Sequence, residues 1–179
     1  MTKVKNIVLG VTASIAIYKA CELVRRLKEA GLGVDVIMTA EAEELIKPIV
    51  FQSLSGRPVF TKMFAQADTW EIEHIALARK ADLVLIAPAT ANIIAKIACG
   101  ICDDLLTCTV CATNAPVLIC PAMNENMYAN RIAQENIKKL KSLGYKFVGP
   151  DKGRLACGTS GVGCLAEVAE IVKEVKKSI

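Results

Sequence analysis

Four apolar runs limit what this chain can become: KNIVLGV at 5–11, VDVIMT at 34–39, ADLVLIAP at 81–88 and APVLIC at 115–120. A strand with one wet face alternates apolar and polar side chains. Runs without alternation belong to strands buried on both faces, as in parallel sheets covered by helices. Between them the pattern changes period: Ile15, Ala16, Ala20, Leu23, Val24 and Leu27 recur at helical spacing, with Thr12 as a candidate N-cap. Further helices are predicted over 41–55 (with Pro48 as a break or a fresh start), 74–80, 90–112, 130–143 and 165–177. A late strand falls in YKFVGP. Strands alternating with helices, and no linker, repeat or low-complexity stretch, predict one doubly wound, Rossmann- or flavodoxin-like α/β domain spanning 1–179, with a mostly parallel sheet.

Composition removes several function classes. The net charge of +4 is scattered, and its densest cluster (Lys138, Lys139, Lys141) lies on a predicted helix. Aromatics make up 4% and are not interleaved with it, so the cluster reads as a solvated face rather than a nucleic-acid stripe. No run of eighteen apolar residues predicts a membrane span, and the opening MTKVKNIVLG reads as a strand rather than a signal peptide. Eight cysteines without a secretion signal predict free thiols and a cytoplasmic protein.

Parallel sheets bind ligands beyond the carboxyl ends of their strands. Four segments fall there: GVTASIAIYK, MTAEA, APATANIIAK and CPAMNENMY, all rich in Ser, Thr or Asn. Three run straight into helices, whose N-termini favour anions, so a phosphate-bearing ligand is expected. The first turn (Gly10–Ser14) has neither GxGxxG nor GxxxxGK[ST], which disfavours dinucleotide and P-loop readings and leaves a mononucleotide such as FMN. Taken singly, Thr12, Ser14, Thr39 and Thr90 read as helix caps; at consecutive strand ends they point to a site.

CGICDDLLTCTVC at 99–111 holds two CxxC pairs. On one continuous helix, at about 100° per residue, the pairs face nearly opposite ways, so no metal site is expected. Cys157 differs: it lies in GRLACGTSGVG, without helical or strand periodicity, where it reads equally as a packed-turn cysteine or an exposed catalytic thiol. His74 is the single histidine, so any imidazole chemistry in this chain uses it.

TASIAIYK, MTAEA with FQSLSG, EHIALARKADLVLIAPATANIIAK, DDLLT, PAMNENMY and RLACGTSGVG occur in this order along essentially the whole chain. Together they resemble the homo-oligomeric, flavin-containing cysteine decarboxylases. The resemblance implies FMN held by Ala13, Ser14, Ile15, Thr39, Thr90, Ala91, Asn92, Ile93 and Ala122 at a subunit interface, in trimers often packed into dodecamers. It assigns His74 to acid/base work, Asn124 to the substrate carboxylate and Cys157 to proton donation, with Arg154, Ala156 and Leu165 as a substrate clamp. The implied reaction converts 4'-phosphopantothenoylcysteine to 4'-phosphopantetheine by flavin oxidation, CO2 loss and re-reduction. A phosphopantothenate–cysteine ligase, as a fused domain or a separate protein, is the implied partner. Departures are Thr159 in place of an acid, Cys164–Leu165 in place of the last pair of the loop, Ala13 for glycine and Tyr128 for Trp. These keep two alternatives open: decarboxylation of another cysteine-bearing substrate, such as a peptide's C-terminal cysteine, and a non-decarboxylating FMN redox or regulatory protein.

Overall fold

The computed structural model describes residues 4–64 and 72–179. Its central sheet begins with β1 (Asn6–Val11), followed by α1 (Ile17–Glu29), β2 (Gly33–Met38), the short α2 (Ala40–Glu43), α3 (Pro48–Ser55) and β3 (Val59–Phe60). The second half contains α4 (Glu73–Lys80), β4 (Leu83–Ala89), α5 (Ala91–Cys99), α6 (Leu105–Ala112) and β5 (Val117–Pro121). Then come α7 (Glu125–Ala129), α8 (Arg131–Ser142), β6 (Lys146–Phe147), a hairpin of β7 (Asp151–Arg154) and β8 (Ser160–Cys164), and α9 (Val168–Ser178).

Six strands pair in the order β3-β2-β1-β4-β5-β6, all parallel. Every residue of β1, β2, β4 and β5 is buried, as continuous apolar runs require. Successive β1 side chains feed opposite faces. Ile7, Leu9 and Val11 pack with Leu23, Leu27, Phe51 and Ile171 from α1, α3 and α9. Val8 packs with Leu77, Ile93, Leu106 and Leu140 from α4, α5, α6 and α8. From β1 the chain builds β2 and β3 on one side, then crosses back to place β4 on the other side of β1, so a crevice opens between the carboxyl ends of β1 and β4.

Two predicted elements come out differently. Residues 90–112 form α5 and α6 rather than one helix. Gly100 terminates α5 at φ 69°, a left-handed geometry glycine adopts without strain, and Asp104 starts α6 with a capping box to Thr107. The glycine-rich stretch around Cys157 is an antiparallel hairpin, held by backbone pairing that needs no apolar alternation.

The amino ends of the strands carry a polar cluster. Buried Asp35 receives Lys80 Nζ at 2.7 Å, Asn6 Nδ2 at 2.8 Å and Arg57 Nη1 at 3.1 Å. Removing one carboxylate leaves two cations and an amide facing a dry strand end, although both cations reach water in part. Asp35→Ala is expected to lower unfolding free energy by roughly 3 kcal/mol, measured by urea denaturation.

Candidate active site

At the carboxyl end of β1 the chain turns through Thr12–Ala16 before α1 begins. Thr12 does not cap α1. Its buried hydroxyl donates to Pro88 O (2.7 Å) and accepts from Thr90 N (3.1 Å), tying the ends of β1 and β4 together. Ala16 is the N-cap and α1 has no side-chain cap; Ser14 braces the turn before it, its Oγ accepting from Ala16 N at 3.3 Å. Thr90 caps α5 by accepting from Ile93 N at 3.3 Å, and Thr39 caps α2 by accepting from Ala42 N at 3.4 Å. Capping and site placement coincide here, because a helix starting at a strand end puts its cap on the crevice wall.

Asn124 caps α7 just beyond β5, its Oδ1 accepting from Asn126 N at 2.9 Å. That turn fixes the amide, so Nδ2 faces the β7–β8 hairpin and donates to Cys157 Sγ at 3.4 Å. The hairpin is brought there by backbone contact: Met123 N donates to Gly163 O at 3.0 Å, and a Cβ on Gly163 would stand 2.1 Å from Met123 O. Only glycine lets these two backbones approach so closely. The connecting turn is closed by Leu155 N to Thr159 O (2.8 Å) and Gly158 N to Leu155 O (2.9 Å), with Cys157 exposed at its tip.

Beneath the turn lies a cavity of about 750 Å³, within the usual range for small-molecule and cofactor pockets. Its wall brings together Ala13, Ser14, Ile15, Thr90, Ala91, Ala122, Asn124, Arg154, Ala156, Cys157 and Leu165. Four expected residues stand apart. Thr39 lines a second cavity of about 380 Å³ with Met63 and Leu106, next to the start of α6. Asn92 is exposed on α5, and Ile93 is buried in the core. His74 sits half-buried on α4, off the wall of the larger cavity, and its Nδ1 is buried with no hydrogen-bond partner among the described residues. Such an atom is rare and calls for a role or a partner. Sequence reasoning did not single out Lys19 or Tyr18, which also line the large cavity; a residue one turn into α1 gives no signal of facing a strand end.

The thiols divide by environment. Burial pushes Cys21, Cys108 and Cys120 up, while a hydrogen bond of its protonated thiol with Cys111, then burial, takes Cys102 to about 11. Cys157 moves the other way, chiefly through its hydrogen bond with Thr159 and also through Asn124, which stabilise the thiolate. The break between α5 and α6 brings Cys102 close to Cys108 and Cys111 of the second pair. Among the described residues no group of three or more His, Cys, Asp or Glu could hold a metal.

The Flavoprotein family model matches residues 1–179. The coenzyme A biosynthesis bifunctional protein CoaBC of Vibrio cholerae is 49% identical over 168 residues, covering 94% of this chain and 42% of that protein. The chain thus spans less than half the length of the curated relatives it matches first. A Streptococcus mutans protein named "Probable phosphopantothenoylcysteine decarboxylase" is 42% identical over 177 residues, covering 98% of this chain and 99% of the relative. Among solved structures, a PPC decarboxylase mutant complexed with pantothenoylaminoethenethiol superposes with TM-score 0.88 at 29% identity, covering 98% of each chain. The FMN-dependent cysteine decarboxylase SpaF superposes with TM-score 0.83 at 29% identity, covering 97% of each.

Adding a methyl group at Gly163 would push the hairpin off Met123, because no side-chain rotation relieves a clash with a backbone oxygen. Gly163→Ala is expected to lower stability by roughly 1–3 kcal/mol and to accelerate amide exchange over 151–164 while leaving exchange in β1 and β4 slow. Hydrogen exchange with mass detection checks both regions.

Proposed function

The chain belongs to the Flavoprotein family, and from that premise we propose that it is an FMN-dependent decarboxylase converting 4'-phosphopantothenoylcysteine to 4'-phosphopantetheine in coenzyme A biosynthesis. The observation that carries the reading is the 3.4 Å contact of Asn124 with Cys157, in one cavity with Ser14 and Thr90. An amide suited to a carboxylate and a thiol suited to proton transfer meet there over two helix N-termini.

The donor set suits FMN. Ala13, Ile15, Ala91 and Ala122 offer apolar surface for a flat ring, Ser14 and Thr90 offer hydroxyls, and Lys19, ion-paired with Glu167 at 3.0 Å, lines the wall near the start of α1. In the first turns of α1 and α5 the N–H groups of Ile17, Lys19, Ile93 and Ile94 bond to Ser14, Ala16 and Thr90, and those of Tyr18, Ala91 and Asn92 suit a phosphate. Asn92 stands in the first turn of α5, while Ile93 fixes that turn through its bond to Thr90. Thr39, on the wall of the neighbouring cavity, would be a further contact for the cofactor. Bound FMN would supply reversible two-electron chemistry at the cysteine moiety.

The chain's own groups divide the remaining work. Asn124 keeps one Nδ2 hydrogen for the substrate carboxylate, and Cys157 Sγ delivers a proton to the product carbon. Arg154, Ala156 and Leu165 hold the substrate beneath the turn. His74 is the acid/base group and comes from a second copy of the chain. Two features support this: its place on α4 outside the cavity wall, and the apolar rim of that cavity, where Ile15 and Tyr18 are each 62% exposed. The assembly is a trimer, packed further into dodecamers. A phosphopantothenate–cysteine ligase, fused or separate, supplies the substrate. The setting is the cytoplasm; among the described residues no helix is long and apolar enough to cross a membrane.

Purified protein with FMN and 4'-phosphopantothenoylcysteine is expected to release CO2, read by mass spectrometry; no turnover with flavin bound sinks the reading. Cys157→Ser should keep the flavin and stop at a decarboxylated product that has not regained hydride. Mixing inactive His74→Asn and Cys157→Ser chains should restore part of the activity, whereas sites contained within one chain would restore none.

A further inference from the structure

The proposed proton donor sits on an exposed turn, where a thiol has many rotamers and contacts water. Two polar groups nevertheless hold its sulfur. Thr159 Oγ1 lies 3.2 Å from Cys157 Sγ, and Asn124 Nδ2 donates to the same sulfur at 3.4 Å. They come from different elements: Thr159 closes the hairpin turn through its own carbonyl and Leu155 N, and Asn124 is pinned as the cap of α7. We propose that Thr159 is a positioning residue for Cys157, its hydroxyl acting with the Asn124 amide to aim the sulfur into the cavity and to stabilise the thiolate left after proton delivery. The inference rests on the decarboxylase reading only for the use to which the proton is put.

The chemistry balances at the sulfur. The S–H bond breaks, its proton goes to the substrate-derived carbon, and the electron pair stays on sulfur until solvent reprotonates it. A neutral thiol can donate to Thr159 or accept from it. A thiolate only accepts, so the hydroxyl turns to donate and, with the amide, supplies two hydrogen bonds to the charge. The low thiol pKa has the same origin, the Thr159 side chain first, then its backbone, opposed by desolvation. Other titratable groups on the cavity wall are Tyr18, Lys19, Arg154 and Cys164, and Glu125 covers the hairpin at Gly161. None of these is within the pair of contacts that grips the sulfur.

Position 159 should therefore govern both thiol titration and turnover. A hydroxyl there favours the thiolate, an isosteric methyl is indifferent, and a carboxylate opposes it by like charge. The test is alkylation of Cys157 by iodoacetamide across pH in the full-length, FMN-loaded protein, followed on the Cys157 peptide by mass spectrometry. Thr159→Val is expected to raise the midpoint by roughly 0.5 pH unit or more, Thr159→Asp to raise it further, and Thr159→Ser to stay near wild type. In turnover, Thr159→Val should lower kcat with KM nearly unchanged, and Thr159→Ser should restore it. A Thr159→Val midpoint equal to wild type overturns the proposal, as does a Thr159→Ser midpoint that follows valine. Alkylation needs no substrate, so a shifted midpoint in a protein without decarboxylase activity would refute the function and leave the Thr159 contact standing.

Discussion

A parallel sheet buried on both faces leaves the backbone few places to be polar. Here β1, β2, β4 and β5 have no exposed residue, so helices occupy both faces and chemistry collects at the strand ends. The amino ends use that freedom for structure: Asp35, Asn6, Arg57 and Lys80 satisfy one another. The carboxyl ends use it for a cavity. Thr12 shows how tightly the two demands are joined, since its one hydroxyl ties β1 to β4 at the point where the crevice opens.

The hairpin turns this crevice into a candidate catalytic site. Its strands are short and glycine-rich and pack little apolar surface of their own. What places them is contact between backbones, with Gly163 against Met123. Cys157 thereby stays exposed yet held, with two hydrogen bonds that favour its ionised form. Buried Cys120 lies in the core, where the same group is pushed the opposite way.

Much of this was legible in the sequence. Continuous apolar runs gave away the strands because full burial leaves no room for alternation, and Ser14, Thr90 and Asn124 stood out as polar groups where such a sheet binds ligands, while Cys157 read equally as a packed-turn cysteine. The split of residues 90–112 was hidden: Gly100 and the Asp104 cap were present, but the apolar residues around them kept a helical period. The hairpin was hidden because its order comes from Met123, about forty residues earlier in the chain. The separation of His74 and Thr39 from the larger cavity could not be read either. Spacing along the chain says which strand a residue precedes or follows, not which of two cavities its side chain lines.

In the proposed reaction electrons leave the substrate in this crevice and return to it. Anaerobic stopped-flow mixing of the FMN-loaded protein with 4'-phosphopantothenoylcysteine follows those electrons directly through the flavin's visible absorbance. Rapid bleaching is expected as the cysteine moiety is oxidised, then recovery as product forms. CO2 release with the oxidised flavin spectrum unchanged throughout turnover would contradict it.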